Sequence, residues 1–288
     1  MKLLELMENR VIFFDGGTGT ELYDRGLFGN TALANHEAPD AICEIHRAYI
    51  EAGADIITAN TFAAYKHSFG NFNEMIKDAF ALANKARAEA GRDVYIAMDL
   101  GPTGLMLEPY GDVTVEECKE IFSESVKVGI ECGADLILIE TIMDINELTA
   151  AVEAASETGL PIFVSMSFNV NGRTMYGASI DDMVKALDSA AYPNVHVIGL
   201  NCGFGPVAYK SLVDDLLQKT NKSVILQPNA GMPETIDGVQ KYAFPPTEFA
   251  KLMLEYIGKG VKVMGGCCGT TPGHIKAMID AYKARHGV

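Results

Sequence analysis

The stretch Ile130-Glu-Cys-Gly-Ala-Asp-Leu-Ile-Leu-Ile-Glu140 contains the pattern that decides the fold. A helix-like segment reaches a glycine, an uninterrupted aliphatic run follows, and the run stops at a glutamate. Glycine suits the left-handed backbone of a helix C-cap. A continuous aliphatic run is typical of a strand that is covered on both faces. The stretch therefore predicts one helix-to-strand unit of a parallel α/β sheet, and Glu51-Ala-Gly-Ala-Asp55 introduces another.

The same unit recurs eight times along the chain. Apolar runs predict strands at residues 11–15, 55–60, 94–99, 136–140, 162–168, 195–201, 224–227 and 261–264. Apolar residues at helical spacing predict helices at residues 41–52, 74–90, 114–132, 145–157, 180–190, 209–220, 247–257 and 274–283. Eight units in 288 residues favour a single (β/α)8 TIM barrel over an open doubly wound sheet. No linker-like segment divides the chain, so we expect one domain over residues 1–288.

The composition excludes several classes of protein. With 48% hydrophobic and 21% charged residues, the chain can bury a large core. Its net charge of −15 repels phosphate backbones and anionic lipids, so we expect no binding to nucleic acid or to a membrane surface. The first ten residues lack the long apolar region of a signal peptide, and no apolar run approaches the ~20 residues of a membrane span. We expect a cytoplasmic protein.

Polar or thiol side chains stand where the predicted strands end. Active sites of (β/α)8 barrels lie at this end of the strands, because the following loops converge there. Packing alone does not explain aliphatic runs that end so often in acids, amides or thiols. The residues are Asp15, Asn60, Thr61, Asp99, Glu140, Thr141, Ser167, Asn201, Cys202, Gln227, Asn229, Cys267 and Cys268.

Three cysteines form a candidate metal site. Cys202 follows the sixth predicted strand, and Cys267 and Cys268 follow the eighth. Three thiolates suit Zn²⁺ and leave its fourth tetrahedral position open, which marks a catalytic site. A redox-active vicinal disulfide between Cys267 and Cys268 is the competing interpretation. The remaining cysteines lie in helical patterns, where we expect small buried hydrophobic residues; they are Cys43, Cys118 and Cys132.

The proposed donor set limits the chemistry. Zinc with three thiolates carries a formal charge of −1 and polarises a carbonyl weakly, which disfavours hydrolysis. Such a centre still binds a substrate thiol and lowers the pKa of that thiol. The sequence therefore favours alkyl transfer to sulfur.

Six motifs resemble the homocysteine S-methyltransferase family, over nearly the whole chain and in the same order. The likeness is greatest to the homocysteine-binding module of cobalamin-dependent methionine synthase. The motifs are Asp15-Gly-Gly-Thr-Gly-Thr-Glu21, Thr58-Ala-Asn-Thr-Phe62, Glu140-Thr141, Gly199-Leu-Asn-Cys-Gly-Phe-Gly-Pro206, Gln227-Pro-Asn-Ala-Gly-Met-Pro233 and Gly265-Gly-Cys-Cys-Gly-Thr-Thr-Pro272.

This resemblance implies a (β/α)8 barrel, zinc on the three cysteines, and homocysteine as the substrate. It also implies that Asp15 and Glu140 hold the ammonium group of homocysteine, which charge-assisted hydrogen bonds would favour. The alternatives are a helix or turn cap at Asp15 and a salt bridge at the barrel mouth for Glu140.

The remaining predicted contacts concern the substrate carboxylate and two amides. Consecutive backbone N–H groups of a glycine turn bind anions, so Gly16, Gly17 and Thr18 are candidates for the substrate carboxylate. Asn201 and Asn229 would orient the substrate or the metal ligands, or would instead satisfy loop backbone.

The expected reaction is methyl transfer to homocysteine, which gives methionine. The donor is expected to be a methyl-corrinoid protein supplied in trans, because quaternary ammonium or sulfonium donors usually recruit aromatic faces, tryptophan best of all, and the chain has no tryptophan and only tyrosines such as Tyr65, Tyr110 and Tyr176 to offer near the site. A free donor such as S-methylmethionine or betaine is the alternative, and so is a zinc- or thiol-binding module without catalysis.

Overall fold

Eight parallel strands form the central sheet of a computed structural model, which describes residues 2–187, 190–236 and 239–287. The strands of this sheet are β1 (Ile12–Phe13), β2 (Ile56–Ala59), β3 (Tyr95–Leu100), β4 (Leu136–Ile142), β5 (Ile162–Met166), β6 (Val195–Cys202), β7 (Ser223–Pro228) and β10 (Val263–Met264). A two-stranded antiparallel sheet lies between β7 and β10 in the chain and comprises β8 (Glu234–Ile236) and β9 (Val239–Lys241).

The pairing of the strands closes the sheet into a barrel. The strand order is β1-β10-β7-β6-β5-β4-β3-β2, and every neighbouring pair is parallel. A parallel bridge between Phe14 and Ile56 joins the two ends of this order. The predicted (β/α)8 barrel is confirmed, and the alternative of an open doubly wound sheet is wrong. All eight predicted strands are present, with ends that differ by a few residues.

The helices follow the strands as the sequence predicts. All eight predicted helices are present as α4 to α11; positions 188–189 of the helix predicted at 180–190, like positions 1, 237–238 and 288 of the predicted domain, lie outside the described residues. The helices are α1 (Lys2–Asn9), α2 (Thr18–Asp24), α3 (Ala34–Glu37), α4 (Pro39–Ala52), α5 (Phe72–Ala88), α6 (Val115–Glu131), α7 (Ile145–Ser156), α8 (Ile180–Leu187), α9 (Lys210–Lys219), α10 (Pro246–Lys259) and α11 (Pro272–His286).

Two apolar clusters explain why the strands are apolar on both faces. The larger cluster lies between the sheet and the helices. The smaller cluster fills the barrel with inward-facing side chains such as Phe14, Leu138 and Phe163, and it also includes Leu3 and Met7 of α1. Helix α1 therefore closes the end of the barrel opposite the predicted site. The described residues contain no helix long and apolar enough to cross a membrane.

Candidate metal and substrate site

The three predicted thiols meet at the carboxyl ends of the strands. Cys202 is the last residue of β6, and Cys267 and Cys268 follow β10. Their three Sγ atoms all lie within 4.8 Å of one another, and the Sγ atoms of Cys267 and Cys268 are 4.0 Å apart. Tetrahedral zinc with Zn–S bonds of about 2.3 Å requires S···S separations of about 3.8 Å. The donor set therefore fits zinc with small adjustments.

Strained backbone aims Cys202 at the other two thiols. Its φ is 58°, a left-handed conformation that residues with a Cβ rarely adopt, and Gly203 continues the turn with a φ of 67°. The Cys202 carbonyl accepts hydrogen bonds from the Phe204 N–H, at 2.7 Å, and from the Tyr209 hydroxyl. These bonds offset the cost of the conformation, and such strain is found most often at functional sites.

Close backbone contacts hold the cysteine pair. The Cys267 N–H donates to the carbonyl of Pro228, at 2.9 Å, and the Thr270 hydroxyl donates to the Cys267 carbonyl, at 2.6 Å. A Cβ on Gly17 would lie only 2.7 Å from that same carbonyl oxygen. Glycine at position 17 thus permits the close approach of the β1 loop to the cysteine pair.

All three cysteines are free thiols, and their pKa values differ. Hydrogen bonds from Cys202 and Cys267, with a smaller contribution from the Tyr242 hydroxyl, lower the pKa of Cys268 to about 3. A thiolate is the form that binds a metal ion. The cluster is therefore prepared for a cation even before the other two thiols lose their protons.

A cavity of about 440 Å³ lies beside the thiols. The three cysteines form part of its wall, and three carboxylic acids from the ends of β1, β3 and β4 form another part. We call Asp15, Asp99 and Glu140 the acid wall. The cavity is large enough for an amino acid that presents sulfur to the cysteines and a cation to the acid wall.

Asp15 is fixed by donors from the neighbouring strand. Its side chain is 2% exposed, and Oδ2 accepts hydrogen bonds from the Thr58 N–H, at 2.7 Å, and from the Thr58 hydroxyl, at 3.1 Å. Burial raises the pKa of Asp15 to about 7, and the bonds from Thr58 oppose that rise. A cationic group in the cavity would favour its charged form.

A β-bulge directs Glu140 into the cavity. The register of β4 against β5 shifts between Ile139 and Ile142, and Thr141 within this interval has a φ of 63°. Bulges commonly re-aim a side chain beside an active site. Removal from water, followed by the charges of Cys202 and Asp15, raises the pKa of Glu140 to about 8.

The two predicted asparagines lie behind the cavity wall. The Asn201 Nδ2 donates to Glu140, at 3.2 Å, and to the Thr141 hydroxyl, at 2.7 Å, while its Oδ1 accepts the Thr141 N–H, at 2.9 Å. Asn201 therefore orients Glu140. Asn229 is 3% exposed, and its Oδ1 has no hydrogen-bond partner among the described residues.

The glycine loop only partly matches its predicted role. Gly16, Gly17 and Thr18 line the cavity. However, the Gly17 N–H already donates to the hydroxyl and the carbonyl of Thr270, at 3.1 and 3.2 Å, so it is not free to bind a substrate carboxylate. The loop uses this donor to dock on the cysteine turn, and the binding of the substrate carboxylate by this loop stays a prediction.

Three further groups in the site were not predicted as site residues. Asp99 and Thr58 both line the cavity. The sequence signals for them were the position of Asp99 at a strand end and the motif that begins at Thr58. Tyr242 reaches Cys268 from the chain after β9, and an antiparallel pair at that position has no counterpart in the predicted βα units.

Comparison with known proteins agrees with this geometry. Residues 12–282 match the family model for homocysteine S-methyltransferase. The chain belongs to the homocysteine S-methyltransferase family. The predicted resemblance is therefore confirmed.

Relatives of this chain include two much longer proteins and solved structures of similar length. Methionine synthases of Mycobacterium leprae and Mycobacterium tuberculosis are each 31% identical over 97% of the chain, which spans about 25% of their length. The apo crystal structure of the homocysteine methyltransferase MmuM from Escherichia coli is 25% identical, with a TM-score of 0.75 over 94% of this chain and 95% of that one. Its metallated form, at 24% identity, shares the fold with a TM-score of 0.80 over 99% and 100%.

Proposed function

We propose that residues 1–288 act as one domain that transfers a methyl group to the thiol of homocysteine and forms methionine, with zinc as the cofactor. The observation that carries this proposal is the meeting of the Sγ atoms of Cys202, Cys267 and Cys268 within 4.8 Å, beside a cavity with an acid wall. Membership of the homocysteine S-methyltransferase family supports it.

Zinc suits the three sulfur ligands. When bound there, it would offer one open tetrahedral position and lower the pKa of a thiol placed in that position. Three free thiols also need a reducing compartment, so we propose that the domain works in the cytoplasm.

The acid wall accounts for recognition of an amino acid. Asp15 and Glu140 accept hydrogen bonds from the substrate ammonium group, and this cation in turn stabilises their charged forms. Asn201 holds Glu140 in place, and Thr58 holds Asp15. The substrate is thereby fixed at its cationic end while its sulfur points toward the cysteines.

This fixed orientation supports an in-line transfer. The substrate thiol releases its proton to water and its sulfur attacks the methyl carbon, and the bond between that carbon and the donor breaks with its electron pair remaining on the donor. Holding the two reactants in line supplies much of the rate acceleration expected for such a step. The product is a thioether and binds a metal more weakly than a thiolate, which favours release of methionine.

The surface around the cavity favours a donor carried on a protein. Loops after several strands expose large apolar side chains at the catalytic end of the barrel, among them Phe28, Met106, Tyr110 and Met175, the last with 77% of its surface exposed. Two of these loops meet at the rings of Tyr110 and Tyr176, whose centroids are 5.7 Å apart, and contiguous apolar surface is typical of macromolecular contacts. Together with the absence of tryptophan, it supports a separate methyl-corrinoid protein as the donor.

A donor panel tests the proposal. Zinc-loaded protein is incubated with L-homocysteine and, in separate reactions, a methylated corrinoid protein, S-methylmethionine or betaine, and methionine is quantified. We expect methionine with the corrinoid protein and not with the Cys267→Ala variant. If methionine forms only with S-methylmethionine or betaine, the donor assignment is wrong and the methyl transfer stands. If methionine forms in none of the reactions, the proposed function is wrong.

A further inference from the structure

Asp99 lines the cavity and has a carboxyl oxygen without a donor in the described part of the chain. It is the fifth residue of β3, lines the cavity and is 7% exposed. Its Oδ1 is fully buried and has no hydrogen-bond partner among the described residues. A buried carboxylate oxygen without a donor is costly, so native proteins rarely keep one unless a ligand or an ordered water supplies the donor.

The position of Asp99 is held by its backbone. The Thr61 hydroxyl accepts a hydrogen bond from the Asp99 N–H, at 3.0 Å, and donates one to the Asp99 carbonyl, at 2.8 Å. Thr61 is itself 1% exposed. This pair of bonds keeps the start of the Asp99 side chain at the cavity wall.

The other two acids of the wall already have protein donors. Asp15 accepts from Thr58, and Glu140 accepts from Asn201. Asp99 is thus the member of the acid wall whose free oxygen most needs a donor from the ligand. An ammonium group carries three N–H donors and no acceptor, so it matches a wall made of carboxylates.

We propose that Asp99 accepts a hydrogen bond from the ammonium group of the substrate and makes the site select thiols that carry an α-amino group. This inference rests on the proposed function and adds a specificity-determining residue to it. A thiol without the amino group leaves the buried oxygen of Asp99 without a donor, so it should bind less well. Removing the carboxylate should therefore weaken the binding of homocysteine and relax the discrimination.

Binding of two thiols to zinc-loaded protein tests this role without any methyl donor. L-Homocysteine and 4-mercaptobutanoate differ only by the amino group, and calorimetric titration gives Kd for each. In Asp99→Asn we expect Kd for homocysteine to rise about 10-fold or more, and Kd for 4-mercaptobutanoate to change much less. The preference for homocysteine should then fall about 10-fold.

A second buried carboxylate provides the matched control. Glu147 is 5% exposed, lies on α7 away from the cavity lining, and accepts hydrogen bonds from the Thr103 N–H and hydroxyl, at 2.8 and 2.7 Å. Glu147→Gln should lower stability without changing the ratio of the two Kd values. If Asp99→Asn does not fold, Asp99→Ser tests the loss of the carboxylate with a smaller side chain.

The outcomes separate the inference from the proposed function. If the wild-type protein binds homocysteine preferentially and the Asp99 variants keep that preference, the role of Asp99 is wrong while the function stands. If the wild-type protein binds neither thiol, both are wrong. A loss of preference confined to the Asp99 variants supports the inference.

Discussion

The sulfur atoms of Cys202 and Cys267 lie within 4.8 Å of each other although their strands, β6 and β10, are separated in the barrel by β7. Pro228, at the end of β7, joins them: it pairs in register with Cys202, and its carbonyl accepts the Cys267 N–H, at 2.9 Å. The thiol cluster is therefore assembled across three neighbouring strands, and its geometry depends on the pairing of β7 with β6 and with β10.

Removal of a single thiol of the cluster should be enough to lower the zinc content. We expect Cys267→Ala to lose bound zinc and methyl transfer together, because two thiolates and water hold zinc far less tightly than three thiolates. Metal analysis of protein purified without added zinc measures this loss. Cys43→Ala is the control, since Cys43 is 1% exposed within α4; it should cost about 1 kcal/mol of stability and leave zinc content unchanged. Stoichiometric zinc in Cys267→Ala would refute the ligand assignment.

Backbone crowding at Gly17 should affect the metal site without removing a ligand. The Cβ of Gly17→Ala would meet the Cys267 carbonyl at 2.7 Å, so we expect weaker zinc binding and a loss of about 1–3 kcal/mol in unfolding free energy. Zinc titration against a chelator and urea denaturation measure the two effects.

The neighbouring Gly19→Ala is the matched control for Gly17→Ala. Its Cβ would have an ordinary contact of 3.4 Å with Thr31, and it lies inside α2, so stability should hold or rise slightly. Equal zinc affinity in the two variants would argue against the close approach at position 17.

Glu140 should make the metal-free protein less stable as pH rises. Its pKa is raised from 4.5 to about 8 in the folded protein, so the folded state binds more protons than the unfolded state between these values. The free energy of unfolding should therefore fall as pH increases from about 4.5 to 8 and level off above that range. Glu140→Gln should flatten this fall and gain about 1 kcal/mol or more over wild type at pH 8.

Urea denaturation at a series of pH values measures the Glu140 effect. Glu248→Gln, an exposed residue in the first turn of α10, serves as the control and should follow the wild-type curve. A Glu140→Gln curve parallel to wild type would mean that Glu140 is ionised in the folded protein at neutral pH.

Helix α1 should stabilise the barrel independently of the site. Leu3 is 3% exposed and packs with the inward-facing cluster, so we expect Leu3→Ala to lower the unfolding free energy by about 2–4 kcal/mol with zinc content unchanged. Glu8→Ala, on the exposed side of α1, should change stability by less than about 0.5 kcal/mol. Loss of zinc in folded Leu3→Ala would show that the two ends of the barrel are coupled.

The barrel and the thiol cluster could be predicted from the sequence because both follow from a repeated local pattern. Aliphatic runs that end in polar residues specify parallel strands whose ends share one face, and this places Cys202 and Cys267 at the same end of the barrel. The raised pKa values of Asp15 and Glu140 follow from the same burial.

The parts that sequence reasoning missed depend on contacts between distant loops. The Gly17 N–H donates to Thr270, and Tyr242 reaches Cys268 from the chain after β9. Neither contact leaves a periodic signal in the sequence. Cys202 has a left-handed backbone conformation, which residues with a Cβ rarely adopt, so the backbone preference of cysteine does not predict it. Asp99 stands at a strand end like the predicted acids, but its unpartnered oxygen is visible only in three dimensions.

X-ray absorption at the zinc edge, recorded with and without L-homocysteine, tests most directly whether three cysteines leave room for a substrate sulfur. We expect three sulfur neighbours at about 2.3 Å in the zinc-loaded protein and a fourth at a similar distance once homocysteine is added. A zinc environment that homocysteine leaves unchanged, with four protein ligands throughout, would contradict the account and favour a zinc-binding module without catalysis.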